Sequence, residues 1–353
     1  MLLMPFDLRV EPIARFMNCE LADHPVYDGA EVQWFDDDVH GTGMLAFLSR
    51  REEGTADFYV QPGLRLDRSM FTVGSGIGSW QEHDFGDCRL EVDDDGVLVD
   101  VSFIDTGGRM VEIAVDDRDG RVRDRGSVLA PVSDGIERPE SMLVVYMTEF
   151  DLVRLTGEPP VVRIDGTEVT TGRLPGQALH RRALVKYASG LVVARLDPHH
   201  DGAVTVVDPT APGKVRLVAG GHAIEGMVAE TAGVEARLWL SPPLPALTAL
   251  LDGGQHVGEW VLDVAGDRIT GGTVTARRQG DHVAVTKEVT RRWTPGRLPT
   301  LMQAVTRFVP VFRRWPRTYR WHADVRLGEP ATMTSGWERV GRRRDSYRRA
   351  TGS

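Results

Sequence analysis

Short apolar runs broken by Asp, Gly and Pro recur along most of the chain, and two stretches, 87–117 and 258–293, carry the same punctuation. In the first, 88–92 leads into Asp93-Asp94-Asp95-Gly96, 97–104 into Asp105-Thr106-Gly107-Gly108, and 109–115 closes the unit. In the second, 260–264 meets Ala265-Gly266-Asp267, 268–276 meets Gln279-Gly280-Asp281, and 282–289 follows. Asp and Gly accept the positive φ that tight hairpin loops need, so each stretch is expected to be a three-stranded meander. Strand patterns bounded by Gly, Asp or Pro also mark 31–35, 43–50, 56–61, 69–73, 79–85, 142–150, 161–169 and 182–196. In the second half they mark 203–207, 214–218, 222–229, 234–240 and 318–327. Helical signals are few. Residues 245–251 end at Asp252-Gly253-Gly254, and 299–309 places Leu301, Met302, Val305 and Phe308 on one face before Pro310.

Many short antiparallel strands with one or two short helices argue for barrels or sandwiches and against a parallel α/β fold. A chain of 353 residues exceeds the usual size of one core. The expected architecture is all-β, with two consecutive antiparallel barrels or curved sheets: an irregular arm over 1–30, interrupted by Pro5, Pro12 and Pro25, then units at 31–176 and 177–330, then a basic tail at 331–353. Two meander units, Trp-bearing strands such as Ser79-Trp80-Gln81-Glu82 and Gly258-Glu259-Trp260-Val261, and a late short helix resemble the tandem lipocalin-like proteins, the group of hydroxyneurosporene synthase and the lipocalin-fold pericyclases. That resemblance is architectural. It implies two lipocalin-like barrels and cofactor-free chemistry on an apolar substrate, and carries no catalytic residue over.

Charge divides the chain. Residues 1–177 hold 16 Arg and no Lys against 35 Asp plus Glu, a net of −19, while 178–353 hold 26 basic and 16 acidic residues, a net of +10. Either the halves neutralise one another across a contact, or one face meets an anionic partner. No apolar run approaches the ~18 residues of a membrane span, and the first residues lack a basic, then apolar, leader pattern. Cys19 and Cys88 show no CxxC spacing and read as free thiols, so a reducing, cytoplasmic setting is expected.

Candidate chemistry sits in a few places. Trp34-Phe35-Asp36-Asp37-Asp38-Val39-His40-Gly41 gathers three carboxylates and an imidazole, yet lacks the alternate oxygen ligands and closing Glu of a calcium loop, and Asp runs in turns are usually solvated. In Trp80-Gln81-Glu82-His83-Asp84, alternation puts Trp80, Glu82 and Asp84 on one side and Gln81 and His83 on the other. Facing inward, Glu82 or His83 would acquire the shifted pKa that proton transfer uses; facing outward, they would be ordinary surface groups. Gly74-Ser75-Gly76-Ile77-Gly78 lacks a following helix and reads as a bend. His199-His200 has no further ligand at zinc spacing, and neither GxSxG nor HExxH occurs, so no metal or cofactor is expected.

Two aromatic sets could line an apolar pocket, Trp34, Phe58, Tyr59, Trp80 and Tyr146 in the first half and Trp239, Trp260, Trp293, Tyr319 and Trp321 in the second, although core packing explains most aromatics. Glu149, Arg154, Lys186 and His322 are polar groups within strand patterns and would anchor such a ligand. Residues 308–321 interleave arginines with aromatics, and Arg342-Arg343-Arg344 and Arg348-Arg349 follow. Packing against the acidic half ranks first for this segment, a peripheral membrane surface second and nucleic acid, opposed by a pI near 5.6, third. The leading expectation is binding of an apolar or amphipathic small molecule, a lipid, terpenoid or polyketide, with hydratase, isomerase or cyclase activity if the protein is an enzyme. The competing one is a structural or protein-interaction module with charge-polarised halves and filled barrels.

Overall fold

The computed structural model describes residues 2–72, 75–132, 136–155, 158–174, 176–207, 215–217, 221–293 and 298–340. The arginines at 342–344 and 348–349 lie outside them, as does Gly74 of the glycine cluster. The chain is all-β, built around two curled half-barrel sheets, with three short α-helices among the described residues, α1 (Gln177–His180), α2 (Thr300–Phe308) and α3 (Pro310–Arg314).

The first half-barrel has ten strands. Across it run Leu8–Ile13, Gly190–Leu196, Met142–Arg154, Arg182–Ala188, Arg15–Glu20, Tyr27–Asp37, Gly41–Arg50, Ala56–Val60 and Ile77–Glu82, with Gly126–Ala130 added beside Met142–Arg154. All its pairs are antiparallel except the last, where Ala56–Val60 and Ile77–Glu82 run parallel. The second half-barrel has nine antiparallel strands, from His200–Ala203 through Thr332–Arg339, Tyr319–Arg326, His282–Arg291, Asp267–Gln279, Gln255–Val264, Val234–Pro245 and Ala223–Thr231 to Val215–Leu217.

Several sequence expectations change here. Residues 1–30 are not an irregular arm: Leu2–Met4 pairs with Thr205–Val207, Leu8–Ile13 with Gly190–Leu196, and Arg15–Glu20 lies inside the first sheet. Proline does not prevent this, because Pro12 sits on an edge strand where no ladder donor is needed. Residues 182–196 complete the first sheet rather than opening the second, and 332–339 form a strand of the second sheet rather than tail. The two meanders have different fates. The stretch 258–293 lies within the nine-stranded sheet, whereas Cys88–Asp93, Gly96–Ile104 and Met110–Asp116 join Val161–Ile164 and Thr167–Glu168 in a separate five-stranded sheet.

That five-stranded sheet covers the convex side of the first half-barrel. Met17, Val32, Met44, Ala46, Leu48 and Tyr59 pack there against Leu90, Val99, Val101, Phe103, Val111 and Ile113. The period-2 alternation of the barrel strands assigns these side chains to one face and leaves the other for the concave interior. A second, larger core fills that interior and runs on through the junction of the two half-barrels.

Candidate functional site

Register defines the concave face of the first half-barrel. Lys186 pairs with Asn18, Asn18 with Glu31, Glu31 with Phe47, Phe47 with Phe58 and Phe58 with Trp80, so six side chains from six neighbouring strands stand in one row. The row is polar at one end and aromatic at the other. Phe47 and Phe58 are buried with ring centroids 5.0 Å apart, and the half-buried Trp80 lies 5.2 Å from Phe58 and 5.7 Å from Phe71. Lys186, Asn18 and Glu31 keep partial contact with solvent.

Glu31 is the chemical centre of the row. The amide of Gln33 donates to its Oε1 at 2.6 Å and that of Asn18 to its Oε2 at 3.1 Å. Burial pushes its pKa up to about 7, against the pull of those two donors and of Lys186. A carboxyl poised there is protonated in a sizeable fraction of molecules near neutral pH and can give or take a proton. A second acid opens on the same interior. Glu11 Oε1 lies 2.8 Å from Nε2 of the buried His40, whose Nδ1 lies 2.7 Å from Asp37 Oδ2. Burial also raises Glu11 to about 7, with His40 opposing, and the His40 ring stands 5.5 Å from Phe35.

Of the residues expected to act, Trp80 joins this row. Glu82 shares its face but stands exposed at the rim. His83 does not enter the interior: its Nε2 accepts the backbone N–H of Ile104 at 3.1 Å, and its ring meets Tyr59, Phe85 and Phe103 edge-on, stitching the half-barrel to the five-stranded sheet. Trp34 lies on that same convex side. Tyr146 faces the other half-barrel, donating to Asp267 Oδ2 at 2.5 Å. Glu149, exposed at φ +50°, accepts from the Ser189 hydroxyl, and Arg154 approaches Asp151 at 3.6 Å.

In the second half-barrel, Trp260 and Trp321 are fully buried. They stand around the ammonium of Lys287, which is 5.7 Å from the Trp260 ring, 5.4 Å from that of Trp321 and 3.7 Å from that of Phe6. Trp239 is half-buried. His322 is exposed in a cleft of about 490 Å³ bordered by His199, Glu140, Arg138, Trp337 and Glu338. No group of His, Cys, Asp or Glu able to hold a metal ion occurs among the described residues. Both cysteines are free, and burial pushes the Cys19 thiol up to about 12.

Sequence reading missed Glu31, Asn18, Gln33 and Glu11. A signal was present: Glu31 and Gln33 alternate with Val32 and Trp34 in a strand whose Phe35 is buried, so polar groups share a face with core. What the sequence did not carry was the pairing that sets Asn18 and Lys186 beside them.

Fold and site together define an all-β protein whose first curled sheet carries titratable carboxyls beside an aromatic wall. No family model, curated protein or solved structure matches the chain.

Proposed function

We propose that the protein holds an apolar or amphipathic small molecule against the concave face of the first half-barrel, and that Glu31 moves a proton on it in a cofactor-free hydration, isomerisation or cyclisation. The observation that carries this reading is Glu31 itself, held by Asn18 and Gln33 with a pKa of about 7 in the same cross-strand row as Phe47, Phe58 and Trp80. The half-buried Trp80, backed by Phe47 and Phe58 from the core, offers contact area to a hydrocarbon skeleton, and the polar end offers a proton and a cation. The acid form of Glu31 would protonate an alkene or carbonyl, and its carboxylate would recover a proton from water or from a neighbouring carbon of the cation formed. Kinship with tandem lipocalin-like proteins, whose expected chemistry is of this class, is part of the proposal and rests on the sequence resemblance alone.

The test is native mass spectrometry of the protein purified from its own host, with extraction and identification of what co-purifies. A stoichiometric apolar compound, lost in Trp80→Ala and retained but unconverted in Glu31→Gln, supports the reading. An empty protein that binds no member of a panel of fatty acids, terpenoids and polyketides overturns it. One observation favours the alternative of a non-catalytic interaction module: core side chains fill both interiors, Phe35, Leu45, Phe47 and Phe58 in the first half-barrel and Trp260, Trp321 and Lys287 in the second.

A further inference from the structure

Residues 291–321 contain eight arginines and no Asp or Glu. In a chain with a net charge of −9 this is a local inversion of sign, and the fold concentrates it at one place. The helices α2 and α3 meet at Val309-Pro310, where Phe308 is 73 % exposed and Val309 38 % exposed. Below this tip lies a cleft of about 510 Å³ lined by Arg292, Trp293, Thr306, Arg307, Phe312, Arg313 and Phe308 itself.

The other sides of the hairpin are accounted for. Met302 and Trp315 are buried, and Leu301, Val305, Val311 and Phe312 pack on the core, so the helices are anchored by their inner faces. The arginines are not used in that anchoring. Arg320 pairs with Glu288 and Arg291 with Glu259, but Arg292, Arg307 and Arg313 have no ion-pair partner among the described residues. Packing against the acidic half, the first expectation for this segment, therefore supplies its central charges with no ion-pair partner among the described residues, although Tyr319 does reach the first half through the carbonyl of Ile136 at 2.9 Å.

We propose that the α2–α3 tip is a peripheral docking surface for an anionic lipid bilayer, with Phe308 and Val309 entering the interface and Arg292, Arg307 and Arg313 receiving lipid headgroups in the cleft beneath. Charge complementarity commits the surface to this partner. Arginines flanking an exposed aromatic match the two demands of an anionic interface, headgroup charge outside and acyl chain within. No helix among the described residues is long and apolar enough to cross a membrane, and the proposed contact involves only the exposed tip. Docking here is independent of the concave site proposed above, which lies in the other half-barrel.

The experiment is flotation of the full chain with vesicles of phosphatidylcholine alone and of phosphatidylcholine containing about one-third phosphatidylserine. Binding is expected to the mixed vesicles only, and to weaken with added salt. Phe308→Asp alters an exposed side chain and should leave the unfolding curve unchanged while abolishing flotation. Arg307→Glu with Arg313→Glu should weaken binding by roughly tenfold or more, about a kilocalorie per mole being typical for each arginine near such a surface. Failure of the wild-type chain to float overturns the proposal, as does equal binding to phosphatidylcholine alone. Flotation that survives both variants overturns it as well, by moving the contact elsewhere on the chain.

Discussion

The Nζ of Lys287 lies 2.7 Å from Oδ2 of Asp197, joining a strand of the second half-barrel to the residue that follows Gly190–Leu196 of the first. Both groups are fully buried. Asp197 also accepts the N–H of Asp7 at 3.1 Å, its carbonyl accepts the indole N–H of Trp337 at 3.1 Å, and it holds φ +47°. Burial pulls the lysine down and pushes the aspartate up, each opposed by its partner. Removing one member strands the other in a dry core. Lys287→Met is expected to cost about 3–5 kcal/mol, and adding Asp197→Asn, which tolerates the positive φ and keeps an acceptor for the Asp7 N–H, to recover part of that loss. Urea unfolding measures both; additive losses would show that the two charges do not depend on each other.

Glu11 and Glu31 make stability fall as pH rises. Both have pKa values raised from 4.5 to about 7, burial being the first cause, so the folded chain holds these protons more tightly than the unfolded one. Their favourable contribution is fully present below about pH 4.5 and is lost as pH climbs through 7. Each adds a slope of at most about 1.4 kcal/mol per pH unit, less for the partly solvated Glu31. Unfolding curves across this range should flatten in Glu31→Gln, and an unchanged slope would mean that Glu31 titrates as an ordinary surface acid.

Tyr146 and Asp267 form a second tie between the half-barrels. Tyr146→Phe keeps the buried ring and removes only the hydroxyl donor, so a loss of about 1.5–3 kcal/mol is expected, as for hydrogen bonds to charged acceptors. A denaturation midpoint equal to that of the wild type would show that water replaces the bond without cost.

His83 offers a contrast with Glu31. His83→Ala deletes the acceptor for the Ile104 N–H and three ring contacts. It should destabilise the chain by about 1–3 kcal/mol and leave any ligand on the concave face bound. Ligand loss from His83→Ala under conditions where the protein stays folded would return His83 to the site.

The β-character of the chain and many of its strands were legible because Asp/Gly turns and period-2 alternation are local signals, as at 93–96 and 265–267. The partition into sheets was not, because nothing local tells 182–196 to pair with 8–20 or sends 88–116 to a separate layer. The site follows the same division. Trp80 was visible as an aromatic on an alternating strand, and the run from Trp34 to Gly41 already contained His40 and Asp37. Glu31 became recognisable only once Asn18 and Phe47 stood on either side of it. The inward polar residue that looked plausible, His83, fell on the convex face, where an aromatic-rich layer made it a hydrogen-bond acceptor.

The pairing of Leu8–Ile13 with Gly190–Leu196 bears on how the chain is made. The first of these strands leaves the ribosome with no partner from this pairing, since its neighbour in the sheet among the described residues lies more than 170 residues downstream. At typical synthesis speeds of about 5–20 residues per second, that edge waits for something like ten to forty seconds. During this interval the nascent chain presents an unpaired segment bearing Leu8, Val10 and Ile13, a target for chaperones and for its own neighbours on the same messenger.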